Sequence, residues 1–248
     1  MNHEIIAERP QKTVYRDGET VIKLMNAGFP APDALNEALN LAIVYETGFC
    51  VPRLVEVKTI EGRWAIVMEY IEGRTAAELI EENPAETDAI LGRFVDIQLE
   101  MHKKTASRLR HHTDKMHAKI SESGVDASAR YELHTRLNGL PKHSKLCHGD
   151  YVPDNVIFKP DGGFCVIDWS HATQGNASAD AARTYLRLRL AGKDTLAEKY
   201  IRLFCGKSDT ARQYVEKWMA IVAASQLVKE KPEEREFLLS WANVAEYQ

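Results

Sequence analysis

Between residues 147 and 169 the sequence gathers oxygen-bearing side chains at spacings that suit phosphoryl transfer. Cys147-His148-Gly149-Asp150-Tyr151-Val152-Pro153-Asp154-Asn155 is followed by Val166-Ile167-Asp168-Trp169. Such a transfer needs a carboxylate to take the proton of an attacking hydroxyl. It also needs oxygen ligands from a loop and from a strand end to hold Mg2+. Asp150 is the candidate base, and Asn155 and Asp168 are the candidate metal ligands. Two β-prone runs, Asn155–Phe158 and Phe164–Ile167, turn at Pro160-Asp161-Gly162-Gly163 and so bring Asp168 back beside the loop. Asp, Asn, Pro and Gly also serve turns for backbone reasons alone. The order of the parts, with a hairpin between them, outweighs that bland explanation.

A second candidate lies near the start. Lys23 sits in the apolar run Val21-Ile22-Lys23-Leu24, and a helical stretch follows that carries Glu37 and Glu46. A lysine that neutralises phosphate charge needs a carboxylate to hold its flexible stem. Glu37 is the expected partner, because Glu46 lies closer to the helix stop at Gly48. A lone lysine on a strand usually faces solvent, so the downstream motif is what makes Lys23 a candidate.

The elements that must position these residues can be read from periodicity. Strands at Thr13–Tyr15 and Thr20–Leu24 flank an Asp17-Gly18 turn, and strands at Leu54–Val57 and Trp64–Met68 flank Glu61-Gly62. Between them, Leu35, Leu39, Ala42 and Tyr45 recur at helical spacing over 33–47. From Thr75 the pattern turns helical, at 76–82 and at 88–104 with Ile90, Leu91, Phe94, Ile97 and Met101 on one side. Strand character returns only in the 155–167 hairpin, and everything after Asp180 reads as helix. The expected class is α+β, with a β-rich unit over residues 1–70 and a larger helical unit over 71–248.

Composition narrows the function classes. Lys plus Arg number 32 against 36 Asp plus Glu, and the net charge of −4 argues against a nucleic-acid partner. The four cysteines form no C-x-x-C pair, so a disulfide framework or zinc site is not expected. No signal-like segment and no bilayer-length apolar run is present, and a cytoplasmic protein without a membrane partner is expected. His111, His112 and His117 lie among Lys103, Lys104, Arg108, Arg110, Lys115 and Lys119. A metal site or a pocket for an acidic substrate is conceivable there, but a solvated helix face is the stronger reading.

The motifs resemble those of the aminoglycoside phosphotransferase and choline kinase family of small-molecule kinases, from about Ile6 to Arg189. The resemblance implies a bilobal protein-kinase-like fold, ATP (or GTP) and Mg2+ as cofactors, and a small-molecule hydroxyl acceptor. It makes Asp150 the base, makes Asn155 and Asp168 the magnesium ligands, and pairs Lys23 with Glu37. Met68-Glu69-Tyr70-Ile71 becomes the hinge facing adenine, which adds Glu69 and Ile71 to the nucleotide site. Gln174 to Asp180 resembles the family's G-D-P-x-x-D segment and puts Asp180 at its structural aspartate. Asn176 and Asp154 depart from the Asp and Gly common in the family, Ala7–Thr13 contains no glycine-rich loop, and no A-P-E-like segment argues for a protein substrate.

The acceptor stays open among choline- or ethanolamine-like compounds, other amino alcohols, sugars and related metabolites. Residues 206–248 hold six Lys or Arg against seven Asp or Glu, so no acidic surplus is there to attract an aminoglycoside. Trp218, Trp241, Tyr185 and Tyr214 could cage a quaternary ammonium, although core packing explains the tryptophans better. Val152-Pro153 is reminiscent of bacterial choline kinases. An aminoglycoside O-phosphotransferase, an inactive nucleotide-binding regulator and a protein kinase are the alternatives, and oligomeric state is left open.

Overall fold

The computed structural model describes residues 4–229 and 231–242. In chain order its strands and helices are β1 (Glu4–Arg9), β2 (Lys12–Asp17), β3 (Thr20–Met25), α1 (Ala31–Tyr45), β4 (Leu54–Ile60), β5 (Arg63–Glu69), β6 (Arg74–Thr75), α2 (Ala76–Glu82) and α3 (Thr87–Met101). There follow α4 (His112–Glu122), α5 (Ala127–Gly139), β7 (Lys145–Cys147), β8 (Val156–Phe158), β9 (Phe164–Val166), β10 (Thr173–Gly175), α6 (Ala177–Leu190) and α7 (Asp194–Ser208). The last helices among the described residues are α8 (Arg212–Glu216), α9 (Met219–Leu227) and α10 (Pro232–Ala242).

Two compact units result. The first holds the residues to Glu78 together with Asp154–His171, and the second holds Leu79–Pro153 and the residues from Ala172 on. This differs from a single break after residue 70. The 154–171 stretch belongs with the first unit because β8 pairs with β6 and the Val166 amide bonds Cys50 O.

In the first unit, β1-β2-β3-β5-β4 form a five-stranded sheet whose paired strands are antiparallel. Both central residues of its Glu61-Gly62 turn have positive φ, 51° and 75°, as the tight hairpin twist requires. Ile22, Leu24, Ala65 and Val67 form its core, with Tyr15 and Ile60 packed on them. α1 carries prolines at its entry, where a missing N–H costs nothing. Its buried stripe is Ala34, Glu37, Ala38, Leu41 and Val44, facing β4, β5 and the Trp169–His171 turn. The residues whose spacing announced the helix point outward instead, with Leu35 47%, Leu39 57% and Tyr45 49% exposed. Both stripes have helical periodicity, so the pattern located the helix without selecting its core face.

In the second unit, α4 and α6 both pack on α9, and α7 packs on α3 and α6. α9 is buried at all nine positions, as expected for a helix apolar all round. β7 and β10 pair with each other and, with β6, were not expected from the sequence. Strands of two or three residues are too short to show alternation, and tertiary pairing alone defines them. The described cysteines are all free thiols. No helix among the described residues is long and apolar enough to cross a membrane.

Candidate active site

The first unit assembles a charge cluster around Asp168. Lys23, on the central strand β3, is only 6% exposed and pairs with Glu37 on the buried stripe of α1. Its ammonium also lies 3.1 Å from Asp168 Oδ1, while Lys12 Nζ at the start of β2 lies 3.2 Å from Asp168 Oδ2. Glu46 caps the far end of α1 and is exposed, so Glu37 is the partner. Burial opposes the charged form of Lys23, but Glu37 and Asp168 outweigh it and hold the ammonium firmly protonated. Burial likewise works against the Asp168 carboxylate, and the Lys23 and Lys12 charges overcome this to hold it ionised well below the usual range.

Asn155 joins Asp168 through the hairpin. Val156 pairs with Val166, and the Ile167 N–H donates to Asn155 O at 2.9 Å, so Asn155 and Asp168 occupy the same end of the ladder. Asp168 adopts φ +64°, a left-handed conformation uncommon for a residue with a side chain. At the other nucleotide-site candidates, Glu69 closes β5 with its N–H on Arg53 O, and Ile71 follows just outside the strand.

In the second unit, one face of α6 holds the loop that carries Asp150. Asp180, Arg183, Thr184 and Arg187 stand at i, i+3, i+4 and i+7, and each grips a different part of that loop. Asp180 accepts the N–H of Gly149 at 2.7 Å and of His148 at 3.3 Å, and pairs with His102 Nε2 at 3.1 Å. Arg183 Nε donates to Gly149 O, and the Thr184 hydroxyl donates to Tyr151 O at 2.7 Å. Arg187 Nε lies 3.1 Å from Asp150 Oδ1. The Asp150 N–H donates to His148 Nδ1, and the Tyr151 hydroxyl to Phe94 O. Burial would raise the Asp180 carboxyl, but the bonds from His102 and the Gly149 amide bring it down to about 2. Asp180 thus ties the loop to α6 through two hydrogen bonds and to His102 through a third. Asn176 also fits its place, since its side chain caps α6 by accepting the Ser178 N–H, as an aspartate there could.

Other candidates disperse. His112 is buried against Trp218 with ring centroids 5.7 Å apart, whereas His117 stacks on His134. Trp218 is 1% exposed and belongs to the core, so it is not a cage wall. His102, Cys147 and Asp180 cluster, but Asp180 is already bonded to His102 and to two loop amides. Sequence reasoning missed Lys12, Arg183, Thr184 and Arg187. The i, i+3, i+4, i+7 spacing of polar residues from Asp180 in the otherwise alanine-rich start of α6 was the available signal for the last three.

The family model described as "Phosphotransferase enzyme family" matches residues 10–216. No curated protein shows a significant sequence match. Among solved structures, a thermostable mutant of the aminoglycoside phosphotransferase APH(4)-Ia, in a ternary complex with AMP-PNP and hygromycin B, superposes with TM-score 0.72 at 15% identity, covering 97% of this chain and 90% of that one. The choline kinase LicA from Streptococcus pneumoniae gives 0.67 at 17% identity, covering 100% and 94%. A choline/ethanolamine kinase family protein from Mesorhizobium loti gives 0.62 at 16%, covering 98% and 85%. At such identities these likenesses establish the fold.

Proposed function

The chain belongs to the phosphotransferase enzyme family, and we propose that it moves the γ-phosphoryl group of ATP to a hydroxyl of a small molecule. The observation that most supports this is Lys23, buried on a strand between Glu37 and Asp168. An isolated buried ammonium is costly, so a lysine placed there with two carboxylates is positioned to hold anionic oxygen.

Asp168 and Asn155 fit a magnesium ion, because both offer oxygen, Asp168 is held ionised, and one hairpin end carries the pair. Bound there, Mg2+ would neutralise charge on the β- and γ-phosphate oxygens. Glu37 keeps Lys23 extended toward the α- and β-phosphates. Lys12 supplies a second cation from the β1–β2 turn, which has no glycine-rich loop. Glu69 and Ile71 offer hinge backbone to the adenine. Asp150 orients the acceptor hydroxyl and takes its proton as the oxygen bonds to the γ-phosphorus. The bond from that phosphorus to the β–γ bridging oxygen breaks, ADP leaves, and the proton passes from Asp150 to water. Arg187 fixes the carboxylate for this task, and Asp180 fixes the loop beneath it.

The test is Asp150→Asn. General-base catalysis contributes about 10²–10⁴-fold, so kcat should fall at least roughly a hundredfold with ATP affinity little changed. Turnover that survives the change overturns the assignment. ATP binding by the wild type, without a phosphorylated product from any hydroxyl compound, would instead identify a nucleotide-binding regulator.

A further inference from the structure

The surroundings of Asp150 in the second unit are basic. Arg183 and Arg187 stand one turn apart on α6, and Lys115 and Lys119 stand one turn apart on α4. Both helices pack against α9, and Lys229 lies just beyond its last turn. Asp150, Asp180, Glu122 and Glu234 are the carboxylates that act on these cations. Asp150 meets Arg187, Asp180 is committed to His102 and the loop amides, and Glu234 on α10 is held by Lys231 and Gln226.

Two observations favour an anionic ligand beside Arg183. Arg183 is 5% exposed, and its Nη2 has no hydrogen-bond partner among the described residues, although its Nε is bonded to Gly149 O. A buried guanidinium N–H left unpaired is costly, and an anionic oxygen is its best complement. The lysines also destabilise one another's protonation. Burial and then the Lys119, Arg183 and Arg110 charges bring Lys115 down to about 7, against the pull of Asp150. Burial, Arg183 and Lys229 bring Lys119 to about 8, with Glu122 and Asp150 opposing. A bound anion would relieve this repulsion, whereas an ammonium group would add to it.

We propose, resting on the phosphotransferase reading, that the acceptor is an anionic hydroxyl compound whose phosphate or carboxylate is held by Lys115, Lys119, Arg183 and Arg187 beside Asp150. The cationic acceptors named for the solved relatives are then disfavoured here. The basic stretch on α4 is also better explained as part of this site than as a solvated helix face.

The experiment pairs acceptors by charge, with ATP and Mg2+ and direct detection of product. Glycerol 3-phosphate and glycerate are set against glycerol, and choline, ethanolamine and kanamycin are run beside them. An anionic member is expected to exceed its neutral counterpart at least tenfold in kcat/KM, and whether the phosphate or the carboxylate wins separates the two chemistries. Lys115→Ala and Lys119→Ala should each raise the KM for that acceptor about tenfold while sparing the KM for ATP. Preferred transfer to a cationic compound, or a rise confined to the KM for ATP, overturns the proposal while leaving the phosphotransferase intact. A second measurement is independent of turnover. With AMP-PNP saturating, inorganic phosphate should raise the Tm of the wild type, and the rise should vanish in Lys115→Ala/Lys119→Ala. No rise, or one retained in the double variant, refutes the pocket. Absence of any transfer alongside a lost phosphate shift would leave the anion pocket standing and count against the phosphotransferase reading alone.

Discussion

Asp180→Asn tests how the loop carrying Asp150 is held. The carboxylate accepts from the Gly149 amide at 2.7 Å, the His148 amide at 3.3 Å and His102 Nε2 at 3.1 Å, and Asp180 is only 3% exposed. Its carboxyl lies at about 2 rather than the ordinary 3.8. That difference corresponds to roughly 2 kcal/mol of stability at neutral pH. The asparagine keeps one oxygen and turns an NH2 toward donors, so at least one buried donor is left unmet, at about 1–3 kcal/mol. The expected loss is therefore roughly 3–5 kcal/mol by urea unfolding at pH 7, with kcat down at least about tenfold because Asp150 is displaced. Because the folded carboxyl is the more acidic, its contribution is complete above the unfolded value and disappears as pH falls through the folded one. The gap between wild type and variant should accordingly narrow from pH 4 toward pH 2. A loss under about 1 kcal/mol at pH 7 would refute the clamp, since a single unmet buried donor costs at least that.

Glu37→Gln should raise the KM for ATP about tenfold or more, as Lys23 loses its α1 partner and its fixed direction; steady-state kinetics decide, and an unchanged KM argues against Lys23 as the phosphate cation. Lys12→Ala is expected to raise the KM for ATP several-fold without altering the KM for the acceptor, and nucleotide titration checks both. Gly73→Ala should destabilise the fold, because Gly73 has φ +151° and an added Cβ would lie 2.4 Å from Phe158 O. A cost of at least about 2 kcal/mol is expected in thermal unfolding, and a near-neutral result would mean that the β6–β8 pairing yields readily.

Lys23, Asn155 and Asp168 were legible in the sequence, because they sit in or beside strands whose hairpins announce themselves with Asp-Gly turns. Glu37 was found as a partner, yet the face of α1 that carries it was not. Leu35, Leu39 and Tyr45 make an apolar stripe of their own, but the face that is buried is the one that carries Glu37 to Lys23 together with Leu41, Ile43 and Val44. Lys12 escaped notice because a lysine at the start of a strand has no local signature. The grip of α6 on the loop was hidden for another reason. Arg183, Thr184 and Arg187 read as ordinary polar residues until the packing shows Arg183 and Thr184 buried against the loop and Arg187 half-buried beside Asp150. Chain-local patterns report which residues lie on one side of an element; what that side meets is decided by tertiary contacts.

That helix face divides labour in a way that bears on how such an enzyme changes its diet. Positions 180 and 184 serve the main chain, 187 meets the Asp150 carboxylate, and 183 does both kinds of work, bonding Gly149 O through Nε while its Nη2 is open to a ligand. Substitutions at 187 could retune the compounds admitted while the hinge-pins at 180, 183 and 184 stay put. A one-residue insertion between any two of the four would turn the later positions by about 100° relative to the earlier ones and release the loop. Diversification of this scaffold should therefore proceed by exchange of side chains along α6, never by altering its length.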